Sequence, residues 1–299
     1  MARTFVAPVS FGLGDLVVSL PAIDAVVAEA ESTDDEAWLV TRAPRQALLA
    51  ERIDGLAGWV DENALAPESP DRVIDLRDHP LQRDFWWGSR EFERAVGRLG
   101  INDILARICA DFGLDADFSR PRPLRARPRR GFEESVVLVT ESDGTFKGWS
   151  AGHWSSLATE VRTSGLDVRV VTRSARAHDI AGVPAVCAPT PGDAVDVLTA
   201  CRAVVGLDTG LTHIAAQQGT PAVTISRANS VYFRPWPHTR VVPGAPCDDA
   251  CVADEAAYAY NDRVDLRGFT PRPRACLADG VCLAGVEPAT VAAALWELV

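Results

Sequence analysis

The chain has 299 residues, of which 47% are hydrophobic and 24% charged, an ordinary balance for a globular protein with room for two domains. Its 30 Lys plus Arg against 41 Asp plus Glu give a net charge of −11, which disfavours a nucleic-acid partner and an anionic membrane surface. No apolar run approaches the ~18 residues needed to span a bilayer.

Thr4–Val9 is a β-like run that leads into Ser10-Phe11-Gly12-Leu13-Gly14-Asp15. Leu16–Ala30 then has helical spacing, with Leu16, Leu20, Ile23, Val26 and Val27 on one face and Pro21 in the second turn. Strand, glycine turn and helix make a βα unit. Gly12 and Gly14 open space at the strand's C-terminal end, where α/β proteins bind ligands, and Asp15 suits the dipole of the helix it begins. The alternation continues through Ala37–Thr41 (strand), Pro44–Glu51 (helix), Gly58–Asp61 and Arg72–Leu76 (strands). Residues 78–92 break that rhythm with His79, Arg83, Trp86, Trp87 and Arg90. The adjacent indoles either offer stacking surfaces to a sugar or anchor the loop on the core. Ile101–Phe112 is a helix that completes a first domain, 1–118.

Ser119–Gly131 holds six arginines and three prolines and reads as an extended, exposed connector within a linker spanning 119–134. A second domain, 135–287, opens with the strand Ser135–Thr140, then Ser142 and Lys147 in a loop, the helix His153–Thr163 and the strand Asp167–Thr172. Ala194–Cys201 is a helix that feeds VVGLDTGLTHIAAQQGTPAV, residues 204–223. Here a strand ends at Asp208-Thr209-Gly210, a helix follows, Gly219-Thr220-Pro221 stops it, and Ala222–Ser226 is the next strand. A helix N-terminus after a parallel strand presents free N–H groups and suits a phosphate, and His213 in the first turn could face the same anion. The class is α/β with parallel sheets.

Seven cysteines are an odd number, against a secreted disulfide framework, and the N-terminus runs straight into a strand without a signal layout. A cytoplasmic protein is expected. Cys247 with Cys251 and Cys276 with Cys282 bracket a 24-residue insert. Four thiolates in two pairs can hold structural zinc or iron; reduced or paired thiols are the alternative. Cys109, Cys187 and Cys201 lie in apolar contexts and read as core.

Three stretches, FGLGDLVVSLPAI (11–23), KGWSAGHW (147–154) and LDTGLTHIAAQQGTPAV (207–223), resemble glycosyltransferase family 9, the ADP-heptose:lipopolysaccharide heptosyltransferases. The resemblance implies a GT-B fold, two Rossmann-like domains facing across a cleft, with the nucleotide-sugar donor in the second and the acceptor in the first. It implies that residues 288–299 form a helix returning to the first domain. The reaction would be inverting transfer without a catalytic metal. Asp15 matches the general base and Lys147 the lysine at the donor phosphates. Ser142, Asp208, Thr209, Gly210 and His213 match the donor side; Gly14, His79, Arg83, Trp86 and Trp87 are the acceptor-side expectation. One branch of the family holds iron with cysteines such as those of this tail. The acceptor would be a lipopolysaccharide core, a protein or a small natural product. Where many members carry a glutamate that holds the donor ribose, this chain has Arg173-Ser174-Ala175-Arg176. A different nucleotide sugar is therefore an alternative donor, and a non-catalytic sugar-nucleotide binder an alternative function.

Overall fold

A computed structural model describes residues 2–68, 71–85, 87, 88, 90–142, 148–174, 180, 182–228, 230–245 and 281–299. Four strands, β1 (Arg3–Ala7), β2 (Glu36–Val40), β3 (Leu56–Val60) and β4 (Arg72–Asp75), form a parallel sheet in the order β3-β2-β1-β4. Six more build a second parallel sheet: β5 (Ser135–Val139), β6 (Asp167–Thr172), β7 (Ala185–Cys187), β8 (Ala203–Leu207), β9 (Ala222–Ser226) and β10 (Thr239–Pro243). Their order is β10-β9-β8-β5-β6-β7. β5, β8 and β9 are buried at every residue, which is why they read as unbroken apolar runs rather than alternating ones.

Each sheet has a point where the strand order reverses, and ligands in open α/β sheets bind outside the strand ends there. In the first sheet it lies between β1 and β4, beside the turn that carries Asp15; in the second it lies between β5 and β8, beside Ser142 and Asp208. The helices of the first domain are α1 (Leu13–Thr33), α2 (Pro44–Ala50), α3 (Pro80–Arg83), α4 (Arg90–Val96) and α5 (Ile101–Asp111). Those of the second are α6 (Ala151–Thr163), α7 (Pro191–Leu198), α8 (Gly210–Gln217), α9 (Val281–Ala284) and α10 (Pro288–Trp296).

The domains meet along two helix pairs, α1 with α8 and α2 with α7. One apolar core runs through this seam: Val6, Leu16, Leu20 and Leu49 belong to the same buried cluster as Val195, Leu198 and Ile214. A second cluster fills the other face of the second sheet. No helix among the described residues is long and apolar enough to cross a membrane.

Two expectations change. The last helix does not return to the first domain. α10 packs on α6, β9 and β10, with Val291, Ala292 and Leu295 fully buried beside Trp154 and Leu157. The Trp149 indole N–H donates to the Val286 carbonyl at 2.9 Å and fixes its approach. The open face of the second sheet needed an apolar cover, and this helix supplies it.

The Arg/Pro stretch is extended, as expected, but docked. The Gln217 Oε1 accepts from Arg122 N–H (2.9 Å), and the Gln218 amide makes a two-way pair with the Leu124 backbone (2.6 and 3.1 Å). Arg125 and Arg129 N–H groups donate to the carbonyls of Arg52 (2.7 Å) and Asp196 (3.0 Å). Its arginines reach Asp24, Asp54 and Asp117. Arg52 also forms a two-point pair with Asp196 across the domains, 3.0 Å at each contact.

The position of α10 can be tested directly. Leu295→Ala should remove about 2–5 kcal/mol from the second domain's unfolding free energy in denaturant titration. A loss confined to the first domain's transition would place the helix elsewhere.

Candidate active site

The first-domain turn is held by its own backbone and by buried amides. Gly12 N–H donates to Asp15 Oδ2 at 2.9 Å, so the aspartate caps the helix it starts. Ser19 Oγ donates to the Asp15 carbonyl (2.7 Å) and accepts from Val9 N–H (3.1 Å). Gln46, itself held by Thr41, donates to the carbonyls of Ser10 and Gly12, both at 2.8 Å. Gln82 donates to the Val9 carbonyl (2.7 Å). Phe11 lies between the guanidinium groups of Arg42 and Arg77, each 5.1 Å from the ring centre. Arg77 is neutralised by Asp75 and Glu62. The turn is thereby rigid while one carboxylate oxygen of Asp15 keeps no backbone donor of its own.

The second-domain turn starts where β8 leaves the sheet. Gly206 leaves no room there for a side chain: a Cβ would sit 2.5 Å from Thr212 Oγ1 and 2.7 Å from Val139 Cβ. The Asp208 carboxylate bonds His213 Nε2 (3.0 Å) through one oxygen and accepts from Ser230 Oγ (2.6 Å) through the other. It ties the turn to the loop after β9. The His213 ring packs against Phe233, with 5.2 Å between centres. Thr209 precedes α8 in extended backbone, but its hydroxyl caps no helical N–H, and its Oγ1 is buried without a partner among the described residues. α8 therefore begins without a side-chain cap from Thr209.

These two turns touch. A Cβ on Gly210 would lie 2.8 Å from Leu13 Cβ and 3.0 Å from the Gly14 nitrogen, while one on Gly14 would lie 3.3 Å from His213 Cδ2. Two helix N-termini, both carrying partial positive charge, lie side by side, and negative charge near them is favourable. Asp15 supplies one such group in the first turn of α1.

Gly14, Asp15, Asp208, Thr209, Gly210 and His213 are therefore gathered as the sequence suggested, with Ser142 past the end of β5, the strand next to β8. Lys147 and Trp86 lie outside the described residues. Two of the acceptor-side expectations are corrected. His79 is buried, accepting Leu81 N–H on Nδ1 (3.1 Å) and bonding Asp111 with Nε2 (2.9 Å), so both ring nitrogens are spent joining α3 to α5. Trp87 is buried, its N–H on the Leu81 carbonyl (2.7 Å) and its ring stacked on Tyr232 at 5.6 Å. It anchors the loop on the core, the other of the two readings its sequence allowed. Arg83 is exposed and pairs with Asp84 at 2.9 Å.

Among the cysteines, Cys247, Cys251 and Cys276 lie outside the described residues, and Cys282 is buried in the second domain's core. Among the described residues no cluster of three or more His, Cys, Asp or Glu could hold a metal. Cys187, expected in the core, is exposed on the edge strand β7, whereas Cys109 and Cys201 are buried and their thiols are pushed up to about 12 by that burial. Sequence reading passed over Gln46, Gln217 and Arg234, whose polar side chains are buried; the Gln-Gln pair closing α8 was their one visible signal.

Gly210→Ala must push α1 away from α8, and should cost about 1–3 kcal/mol as an overpacked contact. Gly14→Ala, with a looser contact, should cost less. Thermal unfolding of the two variants checks the order; the reverse order would mean that the helices do not meet here.

The chain is similar to several known proteins. Residues 109–254, just under half the chain, match the model for glycosyltransferase family 9 (heptosyltransferase). Lipopolysaccharide heptosyltransferase 2 of Salmonella typhimurium is 25% identical over 236 residues, 69% of this chain and 63% of that protein. The chain therefore matches somewhat under two thirds of that relative's length. Escherichia coli heptosyltransferase WaaC, solved with ADP-2-deoxy-2-fluoro heptose, superposes with a TM-score of 0.59 at 15% identity, over 82% of this chain and 93% of that one. The iron-containing dodecameric glycosyltransferase TibC of enterotoxigenic E. coli gives 0.65 at 18% identity, over 99% and 76%. These likenesses show the GT-B fold. Over residues 109–254 the chain is similar to glycosyltransferase family 9.

Proposed function

We propose that this protein is an inverting glycosyltransferase that moves heptose from ADP-heptose to a hydroxyl acceptor. The observation that carries the reading is the contact of Gly14 with Gly210, which sets the Asp15 turn directly against the N-terminus of α8. The acceptor hydroxyl would attack the anomeric carbon while Asp15 takes its proton. The bond from that carbon to the β-phosphate oxygen breaks, and the electron pair leaves with the nucleoside diphosphate. Charge then develops on the phosphate, where the uncapped N–H groups of α8 and Lys147 would stabilise it. His213, oriented by Asp208, would line the same pocket. No metal enters this scheme, and the acceptor class, lipopolysaccharide core, protein or small molecule, is open to assay.

A second donor is favoured by one observation. Arg173, after β6, pairs with Glu141, after β5, at 3.0 Å, so an ion pair stands where the family commonly has a single carboxylate for the ribose. That change suits a different nucleoside. Thermal shift against ADP, UDP and GDP and their sugars separates the two: at 100 times Kd a ligand adds about 2.7 kcal/mol. A response to ADP species alone supports ADP-heptose, a response to UDP or GDP sugars transfers the proposal to that donor, and silence throughout overturns both. Asp15→Asn should abolish transfer with nucleotide affinity kept within about threefold, because the lost group acts on the acceptor proton.

The cysteine tail extends the proposal to a structural zinc or iron on Cys247, Cys251, Cys276 and Cys282. Support comes from the anchoring of the insert: Ala245 N–H donates to the Cys282 carbonyl at 3.1 Å, so the segment carrying the other three cysteines leaves and returns at one place. Elemental analysis of the purified protein should find one zinc or iron per chain. Metal-free protein of unchanged stability overturns it.

A further inference from the structure

α1 has a proline where an amide is missed. Pro21 has no N–H, so the Val17 carbonyl four residues earlier is left without its helix donor. The other domain fills the vacancy. Gln217, the last residue of α8, donates from Nε2 to the Val17 carbonyl at 3.1 Å while its Oε1 holds the linker. The next carbonyl, Val18, accepts from Arg234 Nη2 at 2.5 Å, and Arg234 Nε donates to Asn102 Oδ1 of α5 at 2.9 Å.

Both side chains are buried, Gln217 at 1% exposure and Arg234 at 3%. Among the described residues Arg234 has no carboxylate beside it; neutral oxygens and the faces of Phe118 (5.9 Å) and Trp236 (5.6 Å) surround it. Burial pushes its guanidinium down to about 9, which leaves it charged at neutral pH. A buried cation without a counter-charge costs stability that an apolar residue of similar size would not. The seam around it is otherwise apolar, so adhesion alone does not account for these two residues.

Direction does. Apolar packing lets one helix slide or roll on another with little change in buried area, whereas a hydrogen bond fixes a point. Successive residues stand about 100° apart around a helix, so two bonds to successive carbonyls fix both rotation and height. The anchored carbonyls lie within one turn of Asp15, on the N-terminal side of Pro21.

We propose that Gln217 and Arg234 are positioning residues, which hold the first turn of α1, and so Asp15, at a set rotation and height against the N-terminus of α8 by taking the two carbonyls just before Pro21. The proposal rests on Asp15 acting as the base.

The test uses Gln217→Met, Arg234→Met, and Gln217→Met combined with Pro21→Ala, which returns an N–H to the Val17 carbonyl. Gln217→Met should lower Tm and lower kcat by about 10²-fold, the scale of a 1 Å misplacement, with nucleotide Kd unchanged. Adding Pro21→Ala should recover part of the lost Tm, the bond to the linker staying absent, and leave kcat low. Arg234→Met should keep or raise Tm and lower kcat. If kcat returns with Tm in the double variant, Gln217 only satisfies a carbonyl and the proposal is overturned. Amide hydrogen exchange across residues 13–20, measured without substrate, gives a readout independent of the donor. Faster exchange in the two Met variants supports the proposal and unchanged exchange overturns it. Wild-type protein that transfers no heptose overturns the functional reading alone.

Discussion

Backbone against backbone, at Gly14 and Gly210, is the contact on which the rest of the molecule depends. A side chain at Gly210 would force α1 and α8 apart in a close-packed seam. The contact brings two like ends of helix dipoles together, an arrangement that favours negative charge. It explains why an acidic residue sits at the third position of α1, and why Thr209 leaves the first amides of α8 uncapped. A single spacing thus sets the packing, the electrostatics and the chemistry of the site.

The parallel sheets were legible because buried strands of this kind are plain apolar runs; 167–172 and 222–226 match residue for residue. The missed strands β7 and β10 lie at the two edges of the second sheet, half-exposed, where that signal fades. The turns at 10–15 and 208–213 were legible too, since glycine and capping residues at strand ends have few other uses. Three features were not. An apolar periodic helix such as α10 tells which of its faces is buried, never which sheet lies uncovered to receive it. The Arg/Pro stretch has the composition of a solvated tether, and composition does not reveal that the Gln217 and Gln218 amides bind its backbone. His79 and Trp87 carry groups that suit ligands and proteins alike, and only their partners inside the fold separate the two uses.

The polar groups of the seam also show how the two halves were fitted together. Arg52 with Asp196 closes one end by a two-point ion pair, and Gln217 with Arg234 grips α1 just before Pro21. Between them the contact is apolar. Bonds with direction are placed where orientation matters, and side chains without polar groups fill the remainder.

The shared core has a mechanical consequence. Opening the sheets as a jaw would bare the apolar faces of α1, α7 and α8 at about 25 cal/mol for each Å² exposed. The docked linker gives no slack to a swinging hinge. Gln217 and Arg234 also pin the rotation of α1, which closes off a roll of one helix on the other. The seam is thus a brace: the turns at Gly14 and Gly210 keep one register, and a substrate must be admitted by the loops around them.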